Sequence, residues 1–329
     1  AAKEALPGKA HYDRACIACH GGAVKKAPHR EMIGLMTPES VLHTMTKGVM
    51  RDEAQSLTAQ EKREVAEYIS GVKLGGELTS LPICKNKNAT IASSSSINWG
   101  MQPENTRTIS TEASGISSTN ITNLATKWAI AFPDSSRVRS QPTFAGNQIF
   151  VGSHGGIVYS LDREEGCASW AYRASAEVRT GITYLASGSR PSIFFGDVLG
   201  NVYGVNANTG EEIWRTRADD HPNATITGTP SLNNNLLYVP VSSLEVSLPI
   251  NPDYACCTFR GSVTAIDATT GEIRWKTYTI EEEPTVTGQN SVGTNIIGPS
   301  GAVVWNSPSI DVINNQLYVG TGENMSSPA

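Results

Sequence analysis

At 329 residues, a prior of roughly 150 residues per domain gives about two domains. The net charge of −5 and the shortness of the basic runs, such as Lys25-Lys26, exclude nucleic acid as an expected partner. No run of about 18 apolar residues occurs, so no membrane-spanning helix is expected.

The first chemistry in the chain is Cys16-Ile17-Ala18-Cys19-His20. Two cysteines three apart with histidine directly behind them form the attachment signature of c-type haem. Cys16 and Cys19 would each add to a haem vinyl group, and His20 would ligate the iron from the proximal side. Half of a zinc site is the rival, and no second Cys or His pair of suitable spacing follows. The chain opens Ala1-Ala2-Lys3 in the form that signal-peptide cleavage leaves, and bacterial haem c is attached outside the cytoplasm, so a periplasmic or otherwise exported protein is expected.

Around this motif the sequence predicts helices. Gly8 to Ala15 lead into it. Thr37-Pro38-Glu39 has the form of an N-cap, a proline at the first helical position and an acid in the first turn, followed by apolar Val41, Leu42 and Met45. Thr58-Ala59-Gln60-Glu61 reads as a capping box, with Val65, Tyr68 and Ile69 on the buried face and Gly71 past the end. Three helices about one covalent haem give residues 1–75 the layout of class I cytochromes c, which this segment resembles. The resemblance places a Gly-x-Met before the last helix, matched by Gly48-Val49-Met50, and makes Met50 the sixth iron ligand. Met32, Met36 and Met45 are competitors, and His29 or His43 would give a bis-histidine haem. Pro28 is placed to guide the proximal histidine.

Residues 76–120 read as a linker. Ala92 to Ser96 and Ser114 to Ser118 are polar and aperiodic, while Cys84 and Trp99 suggest that the connector is pinned to one domain. Cys84 and Cys167 either form a long-range disulfide or remain two buried thiols.

A repeat fills residues 121–329. Asp162, Gly166 and Trp170 recur as Asn206, Gly210 and Trp214, then as Asp267, Gly271 and Trp275. Each copy predicts a strand ending at the acid or amide, a turn needing glycine at positive φ, and a return strand that plants tryptophan between neighbouring sheets. Short strands such as Gln148 to Val151 and Leu236 to Val239 precede each turn, which makes four strands per unit and a β-propeller. Trp128 is expected on a lone outer strand that closes the ring.

The repeat resembles the tryptophan-docking motif of the pyrroloquinoline quinone (PQQ) dehydrogenases. His221 to Gly228, Cys256-Cys257 ahead of Arg260-Gly261, and Val304-Trp305 ahead of Gly320-Thr321-Gly322 resemble the haem-bearing polyvinyl-alcohol dehydrogenase branch. The resemblance implies an all-α cytochrome followed by an all-β propeller of eight blades. About three and a half of these are expected here, with the rest to come from a C-terminal half or a second chain. It implies oxidation of an alcohol, secondary or polymeric, by PQQ. Electrons would pass to haem c and on to an external acceptor such as another cytochrome or a quinone.

Inner strands open at Ser140-Gln141, Arg179-Thr180, Thr227-Gly228 and Trp305-Asn306, which in a propeller face one end of the channel. There Arg179 would pair with a quinone carboxylate, Thr180 and Thr227 would donate hydrogen bonds, and Trp305 would stack. The resemblance implies that Cys256 and Cys257 form a vicinal disulfide covering the quinone, against the alternative that one of them pairs with Cys84 or Cys167. Glu323 and Asn324 are candidate calcium ligands, with Glu177 a lesser one. The family's catalytic aspartate has no counterpart before Ala329, so no residue takes that role. The rival reading is a cytochrome fused to a cofactor-free scaffold propeller, a use to which similar repeats are put in outer-membrane assembly.

Overall fold

The computed structural model describes residues 7–22, 24, 27–75, 81–85, 91, 96–132, 135, 138–186 and 190–326. Its N-terminal part is helical: α1 (Gly8–Ala15), α2 (Ile17–His20), α3 (Arg30–Ile33), α4 (Pro38–Thr46) and α5 (Ala59–Ser70). Thr37 caps α4 by accepting from Ser40 N, with Pro38 in the first turn. At α5 both halves of the capping box are made: Thr58 accepts from Glu61 N, and Glu61 accepts from Thr58 N at 2.7 Å. Gly71 ends the helix at φ 72°, a conformation that costs glycine little. Tyr12, Val41, Met45, Leu57, Val65 and Ala66 form the small core between α1, α4 and α5.

Glu61 also receives Arg14 of α1 at 2.8 Å. The Arg14 hydrogen bond, followed by those from Thr58, lowers the Glu61 pKa from 4.5 to about 2. A depressed carboxylate pKa stabilises the fold above the unfolded value, and the contribution disappears as pH falls through the folded one. Thermal melting of the cytochrome domain should therefore weaken from about pH 4.5 down to about 2. Glu61→Gln should flatten this part of the profile when melting is followed by circular dichroism.

The remainder is antiparallel sheet. The first blade holds β1 (Ser96–Ile97), β2 (Thr143–Ala145), β3 (Gln148–Gly152), β4 (Ile157–Asp162) and β5 (Ala168–Arg173), in that order. The second holds β6 (Thr183–Leu185), β7 (Ser192–Gly196), β8 (Asn201–Asn206) and β9 (Glu212–Arg217). In the third, β10 (Ala224–Thr225) and β11 (Ser231–Asn233) both pair with the long β12 (Leu236–Ser243), followed by β13 (Ser262–Asp267) and β14 (Ile273–Tyr278). A side hairpin, β15 (Thr285–Gln289) and β16 (Asn295–Gly298), precedes the two strands of a fourth unit, β17 (Ser309–Asp311) and β18 (Gln316–Tyr318). Three sheets of four or five strands, and a two-stranded one after the side hairpin, give this part a propeller-like build. They do not close a ring among the described residues, so the sheets do not establish eight blades.

The repeat has a visible cause. Asp162, Asn206 and Asp267 each accept from the backbone N–H groups two and three residues on, at 2.8 to 3.2 Å. Trp128, Trp170 and Trp214 each donate Nε1–H at 3.0 Å to a carbonyl of the following turn, on Arg163, Ala207 and Ala268 respectively. At Gly210 (φ 76°) a Cβ would lie 2.8 Å from the Trp170 ring, and at Gly271 (φ 76°) 2.6 Å from that of Trp214. Glycine is therefore required twice over, by the turn and by the docked indole. Trp128 docks as predicted, but residues 124–128 are not in a strand, and the segment simply lies against the first blade.

Part of the 76–120 span is laid on the propeller. Cys84 is disulfide-bonded to Cys167, and Cys84 N donates to Ala168 O. Ser96 and Ile97 extend the first blade as β1. Asn105 Nδ2 donates to Ser307 O, Pro308 O and Ser309 Oγ. Of the polar stretch Ala92 to Ser96, residues 92–95 lie outside the described set.

Candidate functional site

Cys16, Cys19 and His20 border a largely apolar cavity lined also by Ile33, Met36, Val41, Met45, Met50, Leu57 and Ile69. The motif forms α2, so the two thiols and the imidazole are set by one helical turn. Both cysteines are free thiols, and burial pushes the Cys16 pKa up. His20 is buried, and its Nδ1 lies 2.7 Å from Pro28 O. A carbonyl can only accept, so Nδ1 carries the proton and Nε2 is left for a metal. Met50 lies on the wall in the loop after α4, with Met45 and Met36 also present. His29 and His43 are not on this wall, so the bis-histidine alternative has no support. The residues present fit a covalent haem.

The second site is at the inner edges of the blades, where strand openings far apart in sequence meet. Gly181 N donates to Thr229 Oγ1 at 2.7 Å, Thr229 N donates to Ser307 Oγ at 3.1 Å, and a Cβ on Gly181 would lie 3.6 Å from Gln141 O. The four predicted openings are thus neighbours. Ser140 and Thr180 hold equivalent posts: each hydroxyl accepts from the strand that follows it by one hairpin, from Gly152 N of β3 at 2.9 Å and Gly196 N of β7 at 3.1 Å. Thr180 Oγ1 also donates to Gly196 O and is wholly buried, which leaves it no proton for a ligand. The donor role read for Thr180 is therefore corrected: it fastens the blade. Thr227 is half-buried.

Arg179 donates NH2 to Glu177 Oε2 at 2.9 Å, while its buried Nε–H has no partner. His154 Nε2 lies 3.7 Å from the same carboxylate oxygen. The sequence reading missed this histidine, because nothing in its spacing ties it to Arg179. Trp305 is 60% exposed and its indole Nε1 would lie 2.9 Å from a Cβ on Gly322, so the Gly-Thr-Gly stretch provides room for the ring. Asn306 fastens the same stretch, with Nδ2 donating to Gly320 O at 2.7 Å.

Cys256 and Cys257 are disulfide-bonded to each other, and neither pairs with Cys84 or Cys167. Their segment is fixed to the side hairpin by Cys257 N→Ile297 O and Ile297 N→Cys256 O. Glu323 and Asn324 are exposed. Glu323 O accepts from Ala302 N, and Asn324 Oδ1 accepts from Ser326 N. No group of three His, Cys, Asp or Glu suited to a metal ion occurs among the described residues. No helix among the described residues is long and apolar enough to cross a membrane.

Comparison with known proteins separates the same two parts. Residues 3–69 match the family described as cytochrome C oxidase, cbb3-type, subunit III, and residues 88–251 match the PQQ_2 family, described as outer membrane protein assembly factor BamB. Polyvinylalcohol dehydrogenase from Pseudomonas sp is 32% identical over 98% of this chain and 53% of its own length. The polyvinylalcohol dehydrogenase of Sphingopyxis sp. (strain 113P3) is 31% identical over 96% and 51% respectively. The chain thus spans about half the length of these relatives. Its fold is similar to quinohemoprotein alcohol dehydrogenase from Comamonas testosteroni, with a TM-score of 0.55 and 20% identity over 73% of this chain and 37% of that one. A cytochrome domain ahead of propeller blades, with sequence identity running across nearly the whole chain, makes this protein a homologue of the polyvinylalcohol dehydrogenases.

Proposed function

We propose that this chain supplies the cytochrome domain and several blades of a PQQ-dependent alcohol dehydrogenase, which passes electrons to haem c and then to an external acceptor. The meeting of the inner-strand openings supports the reading, because it puts the chain segments that carry Arg179, Thr227 and Trp305 side by side. The names of the relatives supply the alcohol, and a polymeric or secondary one is the reading we favour.

PQQ when bound is a two-electron acceptor for the alcohol. The chain's own residues supply its setting. Glu177 orients the Arg179 fork, and the unpartnered Nε–H has no acceptor of its own until an anion arrives. A buried donor without a partner costs about 1–3 kcal/mol, which a bound carboxylate would recover. Trp305 presents an exposed ring on a backbone anchored by buried Val304. The proximal His20, held by Pro28, favours a basic imidazole toward iron. The Cys84–Cys167 and Cys256–Cys257 bonds support an exported location, since disulfides persist in oxidising compartments.

The test is to add PQQ and calcium to the haem-loaded protein, measure PQQ binding by fluorescence, and follow haem reduction on adding polyvinyl alcohol or a small secondary alcohol. Binding that weakens about tenfold or more in Arg179→Ala is expected, as for loss of a charge-assisted pair. If PQQ does not bind the native protein, the reading falls and the scaffold alternative takes its place.

A further inference from the structure

The cytochrome is seated on the blades. Met36 and Ala176 form an antiparallel bridge, and Thr37 N donates to Ser175 O at 2.9 Å. A second contact sets the rings of His29 and Tyr254 edge to face, with centroids 6.1 Å apart. Buried Glu245 accepts from the Tyr254 hydroxyl at 3.0 Å and from Phe259 N at 2.8 Å, one on each side of Cys256–Cys257. Along this seam lies a cavity of about 640 Å³.

Both domains supply its walls. Ser40, His43 and Thr44 face it from α4, and Arg173, Arg215 and Arg217 from the last residues of β5 and β9. The charges on the lining do not balance. Glu39 is its acid among the described residues, and Arg173 NH1 lies 3.5 Å from that carboxylate. Arg217 turns its fork to two neutral carbonyls, Leu199 O and His221 O. Arg215 donates to Ser175 Oγ at 3.0 Å and lies 3.7 Å from Glu212, which is not on the lining. Three guanidiniums against one lining carboxylate leave two positive charges in excess, and a guanidinium pairs best with a planar carboxylate.

This cavity adjoins the haem cavity. Pro28, Ile33, Met36 and Thr44 line both, whereas Cys16, Cys19 and His20 line the haem side alone, so the two spaces meet along a wall the cysteines do not form. Haem carries its vinyl groups on one edge and two carboxylates, the propionates, on the opposite one. Thioether bonds at Cys16 and Cys19 pin the vinyl edge and leave the carboxylates for the far wall. Among the described residues, no arginine or lysine of the cytochrome domain lines either cavity, so the cations there come from the blades.

We propose that Arg217, Arg215 and Arg173 form the site for the two haem carboxylates, so that the propeller holds the far edge of a haem whose near edge is bonded to the cytochrome. This rests on the haem-binding part of the proposed function and names the blade residues that share the haem. Two carboxylates offset the two excess cations, and the Arg217 fork gains charge-assisted bonds where it now meets neutral oxygens.

Resonance Raman spectroscopy and redox titration of the haem-loaded protein test the site. The propionate bending band should shift in Arg217→Gln and further in Arg173→Gln/Arg217→Gln. It should stay in place in Arg63→Gln, which removes an equal charge from the exposed face of α5. Losing two cations beside the haem favours ferric iron, so the midpoint potential of the double variant should fall by at least about 59 mV, tenfold in the ferric-to-ferrous ratio. Arg217→Lys keeps the charge without the fork, so it should restore the potential and leave the band shifted. A native band in the double variant, with haem attached, overturns the proposal. So does inorganic phosphate that binds the native haem protein in calorimetry but not the double variant, because the cavity would then hold a free anion. Native protein without covalent haem removes the site together with the haem reading. If the chain binds no PQQ and oxidises no alcohol, yet shows the arginine-dependent band, the enzymatic reading is lost and the site stands.

Discussion

Replacing Cys16 and Cys19 together with serine is expected to abolish covalent haem, so that the haemochrome spectrum of protein extracted under denaturing conditions falls to background. Both thiols border the apolar cavity, and no other free cysteine lies among the described residues to substitute for them. On the opposite side of the iron, Met50→Ala should remove the far-red methionine-to-iron band and leave the other haem bands. Met45→Ala and Met36→Ala should leave that band in place while lowering stability, because Met45 is buried in the helical core and Met36 is packed against it. A far-red band that survives in Met50→Ala would reassign the sixth ligand.

The second large effect is on stability. Trp214→Ala should destabilise the sheets by about 3–5 kcal/mol, the range for truncating a buried tryptophan. Trp214 is 8% exposed, stacks on Phe194, docks on Gly271 of the next blade and donates Nε1–H to Ala268 O. Trp275→Ala should cost much less, since Trp275 is 40% exposed on β14 and packs beside Tyr238, with no turn of a further repeat docked against it among the described residues. Denaturant unfolding of the two variants measures the contrast, and equal losses would contradict the docking role. The same comparison explains why the repeat was legible. In each copy an Asp or Asn side chain caps a turn and a glycine adopts positive φ, and a tryptophan four residues on docks against the glycine of the next copy where one follows.

Other features were legible for similar reasons. The caps at Thr37 and Thr58 and the stop at Gly71 involve side chain and backbone only a few residues apart, so their spacing defines their geometry. The haem motif is contained within one turn of helix. Where the sequence reading assigned hydroxyls by position, it fared worse. Thr180 stands at the predicted opening, but its hydrogen bonds go to Gly196, across the blade and away from any ligand.

The sequence by itself determined a covalent-haem helical domain, a four-stranded repeat and the residues that head the inner strands, because each of these depends on short-range pattern. Only the tertiary structure decided the pairing of Cys84 with Cys167 and of Cys256 with Cys257, the grip of Glu245 on both sides of the cysteine pair, and the seat of Tyr254 on His29. Cys84–Cys167 and His29–Tyr254 join residues separated by long stretches of chain, and the second depends on how a whole domain is placed against a blade. No periodicity records that placement. Burial of one carboxylate and the meeting of two rings fix it in space, once the cores on either side have formed.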